Sequence, residues 1–196
     1  MNDVLLTISG TISPTVVEDI EAGKRPLADY IAMAETFNAD LIDYTKAHEV
    51  GGWFGRLLGK LAGQNALLAW ACFKLRHHYQ IIFSDGEQIA IPLALLFKFL
   101  SWGKRPVHFT IIHILSVGKK VRFFDWFRIQ SDIDVFFVYS TWQKKFIEDR
   151  WQVPGERVVF TPFMVDDDFF APGQAVGRLT RADLALTDAP VICSVG

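Results

Sequence analysis

The sequence has few cysteines, almost no net charge and no long uncharged run. Its two cysteines, Cys72 and Cys193, lack the spacing of metal ligands or redox pairs, which indicates a reduced cytosolic setting. The net charge of −2 gives no global attraction to nucleic acid, so we expect no such partner. Uncharged stretches such as 61–73 are shorter than the roughly 18 residues that span a bilayer. Residues 1–3 lack the basic region of a signal peptide, so we predict a cytoplasmic protein without a transmembrane segment.

Two further signals are missing. No carboxylate–histidine cluster has metal-ligand spacing, so we expect neither a metal nor another cofactor. No G-x-G-x-x-G follows a predicted strand, which argues against a dinucleotide oxidoreductase. The chain is instead rich in core-forming residues, because 51% of its 196 residues are hydrophobic and 17 are Phe. That composition excludes general disorder and supports one domain, or one and a fraction.

Short apolar runs alternate with helical patterns from residue 4 to 163. Residues 133–139 are typical of a buried strand, and Ser140 follows at capping-box spacing from Gln143. A helix follows, and Pro154-Gly155 end it. Further strands are predicted at 4–9, 39–45, 80–83, 106–115 and 157–161. The alternation predicts an α/β fold: a Rossmann-like, mostly parallel sheet with helices on both faces.

Polar residues and glycines follow several of these strands, where ligands bind in such sheets. Because of this position, we select some of these residues as candidates for substrate binding. Purely structural roles stay open as alternatives, namely a tight turn at Gly10 and helix caps at Ser84–Glu87 and Ser140. His113 lies near the carboxyl end of its strand and faces the same cleft. His108 lies in mid-strand, where we expect a packed structural residue. The substrate-binding candidates are Gly10, Thr11, Asp85, Gly86, Glu87 and Ser140.

Residues 53–79 predict one long helix, with an interruption near Gly59 or Gly63. Its middle is apolar and its cations lie toward its ends. Two interpretations stay open. The segment is either a core helix with solvated ends or an interfacial helix that contacts anionic lipid headgroups.

The stretch after the sixth strand contains Val165-Asp166, then Phe170 and Pro172. This pattern resembles the V-D-x-x-x-F-x-P signature of the nucleotide-sugar glycosyltransferases called group 1 or family 4. The same order of strand, serine-capped helix, strand and signature occurs in that family. The resemblance covers most of residues 80–196, with Phe163-Met164 standing where the family usually has Asn-Gly.

The resemblance implies the N-terminal half of a two-Rossmann-domain (GT-B) enzyme. Residues 1–172 would be the acceptor-side domain, 173–190 a linker, and 191–196 the first strand of a missing nucleotide-sugar domain. The implied activity is hexosyl transfer from a nucleotide-sugar to a hydroxyl of a sugar or lipid-linked acceptor. Because relatives often have a histidine after the equivalent strand, His113 becomes the candidate catalytic residue. This chain alone is expected to be inactive.

The alternative comes from a different class of protein. The chain would be a complete, non-catalytic Rossmann-like binding or interaction module. The single glycine in the turn at Gly10 and the absence of Asn-Gly before Val165 favour this alternative.

Overall fold

The computed structural model describes residues 2–101, 103–162, 166, 169, 182, 183 and 185. The chain divides into a sheet-bearing unit, 1–14 and 28–164, and a second unit, 15–27 and 165–196. In the second unit, the Asp166 carboxylate accepts hydrogen bonds from the main-chain N–H groups of Leu27 (2.8 Å) and Phe169 (3.1 Å). The predicted strand 191–196 and most of the predicted linker lie outside the described residues, as do Val165, Phe170 and Pro172.

The sheet is entirely parallel, where the sequence predicted it mostly parallel. Among the described residues it has six strands in the order β2-β1-β3-β4-β5-β6. The prediction of a Rossmann-like α/β fold is therefore confirmed. The strands are β1 (Val4–Thr7), β2 (Ala39–Ile42), β3 (Ile81–Ser84), β4 (Val107–Ile112), β5 (Val135–Val138) and β6 (Val158–Phe160).

Helices connect the strands. β2 is shorter than the strand 39–45 that the sequence predicted. It ends at Ile42 because Asp43 caps the next helix, accepting a hydrogen bond from the Lys46 N–H at 2.9 Å. The helices are α1 (Val16–Glu21), α2 (Asp29–Phe37), α3 (Tyr44–Ala62), α4 (Gln64–Leu75), α5 (Glu87–Leu100), α6 (Gly118–Phe127) and α7 (Thr141–Trp151).

Both faces of the sheet carry helices, as the sequence predicted. Alternate strand residues point to opposite faces, so neighbouring residues of one strand enter different clusters. On one face, Leu5 and Ile82 pack with α4 and α5, and Phe136 packs with α6 and α7. On the other face, Leu6 and Phe83 pack with residues of α2.

The predicted segment 53–79 contains parts of two helices, and the interruption predicted near Gly59 or Gly63 lies at Gly63. α3 kinks at Gly52 (φ 66°), and Gly63 (φ 90°) separates α3 from α4. Positive φ is a region that glycine enters without the steric cost of a Cβ. α4 is a core helix, whereas the outer face of α3 is exposed. Within the part of the chain that the structure describes, no helix is long and apolar enough to cross a membrane.

His108 is fully buried beneath α5, which fits the packed residue expected at mid-strand. Its Nδ1 lies 3.0 Å from the Asp132 carbonyl oxygen, which can only accept, so Nδ1 carries the proton. Nε2 therefore accepts from the Ser84 hydroxyl at 3.0 Å. Burial lowers the pKa of His108 from 6.5 to about 4, so the ring is neutral at neutral pH.

This buried ring makes stability dependent on pH. Because the unfolded state binds the proton more readily, stability is lost as pH falls from the unfolded pKa toward the folded one. From the pKa of about 4 we expect the free energy of unfolding to fall by about 2 kcal/mol between about pH 7 and about pH 5. Urea denaturation across this range measures the loss, and a His108→Asn variant should show a shallower slope. Equal slopes would contradict the assignment.

Candidate functional site

The strand order places a crevice between β1 and β3. The chain leaves β1 toward β2 on one side, whereas β3 and the later strands lie on the other side. In open α/β sheets, this reversal of strand order separates the loops at the carboxyl ends and leaves room for a ligand. The two loops that meet here are the ones after Thr7 and after Ser84, both selected from the sequence.

Asp85 joins these two loops. Its carboxylate accepts hydrogen bonds from the Thr7 hydroxyl (3.0 Å), the Ser9 N–H (2.7 Å) and the Ser9 hydroxyl (2.8 Å). The Asp85 N–H donates back to Thr7 Oγ1 at 3.1 Å. The residue predicted to bind substrate thus holds the two sides of the crevice at a fixed separation, and it also lines the cavity there.

A cavity of about 240 Å³ occupies this end of the sheet. Apolar side chains form part of its wall, and polar groups form the rest. An apolar wall with a few fixed polar groups is the usual composition of a small-molecule site. Its lining residues are Leu6, Ile8, Ser9, Asp29, Tyr30, Met33, Asp85, Ile111, His113 and Tyr139.

His113 lies just past the end of β4, is exposed and lines this cavity. Its Nε2 lies 2.9 Å from the main-chain oxygen of Asp85, which can only accept, so Nε2 carries the proton. Nδ1 is then the acceptor atom of the ring. The Tyr139 ring lies beside it, with the ring centroids 5.7 Å apart. Burial, and then the charge of Asp29, raise the pKa of Tyr139, so its phenol stays neutral.

Glu87 supports the loop that carries His113. It is 1% exposed, and its carboxylate accepts hydrogen bonds from the N–H groups of His113 (2.9 Å) and Ile114 (3.2 Å) and from the Lys120 ammonium. Burial opposes ionisation of this carboxyl, but the Lys120 and main-chain hydrogen bonds outweigh it and lower its pKa. The structure places Glu87 under the loop, and it does not line the cavity.

The other selected residues do not line the cavity. The Gly10 carbonyl oxygen accepts from the Tyr44 N–H at 3.0 Å, and Thr11 is exposed. Gly86 immediately precedes α5. Ser140 caps α7 by accepting from the Gln143 N–H at 3.1 Å.

Two expectations about helix caps require correction. Ser84 does not form a capping box with Glu87, because Ser84 is buried at the end of β3 and is bonded to His108. At the second box, the Gln143 amide does not return to Ser140. It donates to the main-chain oxygen of His113, which is a second hydrogen bond that positions that residue.

Sequence reasoning missed Asp29, Tyr30 and Tyr139 as cavity residues. Asp29 and Tyr30 are the first two residues of α2. They reach the cavity only through the path of the connection between β1 and β2, in which α2 lies. Tyr139 was recognised as part of a strand, but its position two residues after the half-buried Phe137 on the same face was a usable signal.

A second cavity of about 400 Å³ adjoins the first and shares Asp29, Met33, Ile111 and Tyr139 with it. The additional wall is mainly apolar and includes Phe83 and Phe137. Across the described residues, no group of three or more His, Cys, Asp or Glu side chains is placed to hold a metal ion.

Comparisons of this chain with models of known families, with curated proteins and with solved structures find no match.

Proposed function

We propose that this chain is the acceptor-side domain of a nucleotide-sugar glycosyltransferase with two Rossmann-like domains. The observation that carries the proposal is the cavity at the β1/β3 crevice, where His113 and Tyr139 stand beside Asp29 and Asp85. The resemblance of Val165-Asp166, Phe170 and Pro172 to the transferase signature supports the same assignment.

The chemistry of this cavity suits a sugar hydroxyl. His113 offers Nδ1 as a hydrogen-bond acceptor. The main-chain oxygen of Asp85 fixes the His113 ring, and the Gln143 side chain fixes the His113 main chain. A fixed imidazole can orient a hydroxyl group and accept its proton as it attacks the donor sugar. Neutral Tyr139 adds a hydroxyl group and an aromatic surface beside it.

The donor is assigned to the second domain of such an enzyme, and so is most of the stabilisation of the departing diphosphate. No metal or cofactor is required from this domain. The acceptor is a sugar or a lipid-linked sugar. The second cavity, which adjoins the cavity lined by His113, is mainly apolar and is compatible with a lipid-linked sugar.

A titration of the ¹⁵N-labelled chain tests this proposal. Saccharide acceptors should shift the amide resonances of Ser9, Tyr30, Asp85, His113 and Tyr139, whereas UDP-, GDP- and ADP-sugars should bind weakly because most of their site belongs to the other domain. Shifts that cluster away from these residues, or micromolar binding of a nucleotide-sugar, would contradict it. Saturable binding of a non-carbohydrate ligand alone would favour the interaction module.

A further inference from the structure

The second half of α3, from Trp53 to Ala62, carries an exposed apolar stripe. Trp53 and Leu61 are each 78% exposed, and Leu57 is 42% exposed. The three residues follow one another at intervals of four, so they form one continuous row along the helix. Large apolar side chains arranged in one row, rather than singly, mark a surface that meets another apolar phase.

Packing on the opposite side of α3 holds this stripe outward. An added Cβ at Gly55 would lie 2.8 Å from Leu67 Cδ1 of α4, so the two helices are in close contact there. Trp70 of α4 donates its indole N–H to the Gly51 carbonyl oxygen at 3.2 Å. The Phe54 ring meets the Trp70 ring edge to face, with the centroids 4.8 Å apart. Rotating the stripe inward would break these contacts.

Cations flank the stripe. Arg56 and Lys60 are exposed, lie four residues apart and occupy the side of the helix next to Trp53. The whole chain has a net charge of −2, yet residues 50–84 contain no Asp or Glu. The positive charge is therefore local to this helical hairpin.

We propose that this stripe binds in the interfacial layer of an anionic lipid bilayer. Trp53, Leu57 and Leu61 would enter the boundary between headgroups and acyl chains, and Arg56 and Lys60 would contact the headgroup phosphates. Tryptophan favours this boundary because its ring is apolar and its N–H is polar. The helix lies on the surface, which agrees with the lack of a spanning helix among the described residues.

A second copy of this chain fits the stripe less well. A symmetric antiparallel contact through the same helix face would bring two Arg56–Lys60 rows together, and like charges at an interface oppose association. A lipid surface supplies the opposite charge together with the apolar phase. This inference is independent of the proposed enzymatic activity.

Co-sedimentation of the full chain with lipid vesicles tests the proposal. One set contains equal parts of phosphatidylglycerol and phosphatidylcholine, and the other contains phosphatidylcholine alone. We expect binding to the anionic set at low salt and release as salt screens the charges. The Arg56→Gln/Lys60→Gln variant should bind at least about tenfold more weakly, since each cation near such a surface contributes roughly fivefold.

A second variant, Trp53→Ser/Leu61→Ser, should lose binding while keeping the melting temperature of the wild type. The matched control is Trp142→Ser/Lys145→Gln, which removes an exposed tryptophan and an exposed cation on α7 and should bind like the wild type. Equal binding to both vesicle sets would overturn the proposal, as would equal loss in the control. A wild-type dimer in sedimentation equilibrium that Trp53→Ser/Leu61→Ser abolishes would assign the stripe to a second copy instead.

Discussion

Replacing Glu87 with alanine is expected to lower the free energy of unfolding by about 3 kcal/mol. The change removes a buried carboxylate that holds the N–H groups of His113 and Ile114 and the Lys120 ammonium. Unsatisfied donors of this kind cost about 1–3 kcal/mol each, and the partial exposure of Lys120 limits its share. Urea denaturation near neutral pH measures the loss.

The matched control for this substitution is Asp149→Ala on α7. That carboxylate also has a lysine partner, Lys145 at 2.8 Å, but both side chains are exposed. Its removal should change stability by less than about 0.5 kcal/mol. In Glu87→Ala, hydrogen exchange should also accelerate at residues 113 and 114 before it does so in β4. A loss as small as that of the control would show that the loop does not depend on Glu87.

Gly55→Leu is expected to destabilise the fold by about 3 kcal/mol, at the upper end of the usual range for overpacking. At this position even a Cβ would lie 2.8 Å from Leu67 Cδ1 and 3.0 Å from Trp70 Cδ1. Leu67 is fully buried and has little room to move. The α3–α4 contact must open to admit the larger side chain.

Thermal melting and urea denaturation measure the effect of Gly55→Leu. Ala62→Leu places the same side chain at an exposed position of the same helix, so it should leave stability nearly unchanged. Similar melting of the two variants would mean that the helices are not in close contact at Gly55.

Much of the fold could be predicted because it depends on local patterns. Runs such as 133–139 are apolar except for Asp134, and a nearly continuous apolar run is typical of a strand covered on both faces. Gly63 ends α3, at one of the two positions where the sequence predicted an interruption. The segment 53–79 was harder because a core helix and a surface helix follow each other directly, and both are apolar.

The candidate site could be predicted only in part. The carboxyl ends of β3 and β4 are adjacent, so placing Asp85 and His113 at one cavity followed from strand order. The role of Glu87 did not follow, because its carboxylate reaches 26 and 27 residues along the chain to main-chain groups. Capping-box spacing suggested a local partner for Glu87, but burial of Ser84 against His108 removes that partner.

One measurement tests most directly whether the cavity at the β1/β3 crevice binds sugar hydroxyls. It is the affinity of His113→Ala for a saccharide acceptor found in the titration. Losing one directed hydrogen bond should raise the dissociation constant about tenfold. His78→Ala, at an exposed position after α4, should bind like the wild type. Tenfold weaker binding by His113→Ala alone, with unchanged melting, is the predicted result. Equal affinities of wild type, His113→Ala and His78→Ala would contradict the assignment of this cavity as the acceptor site.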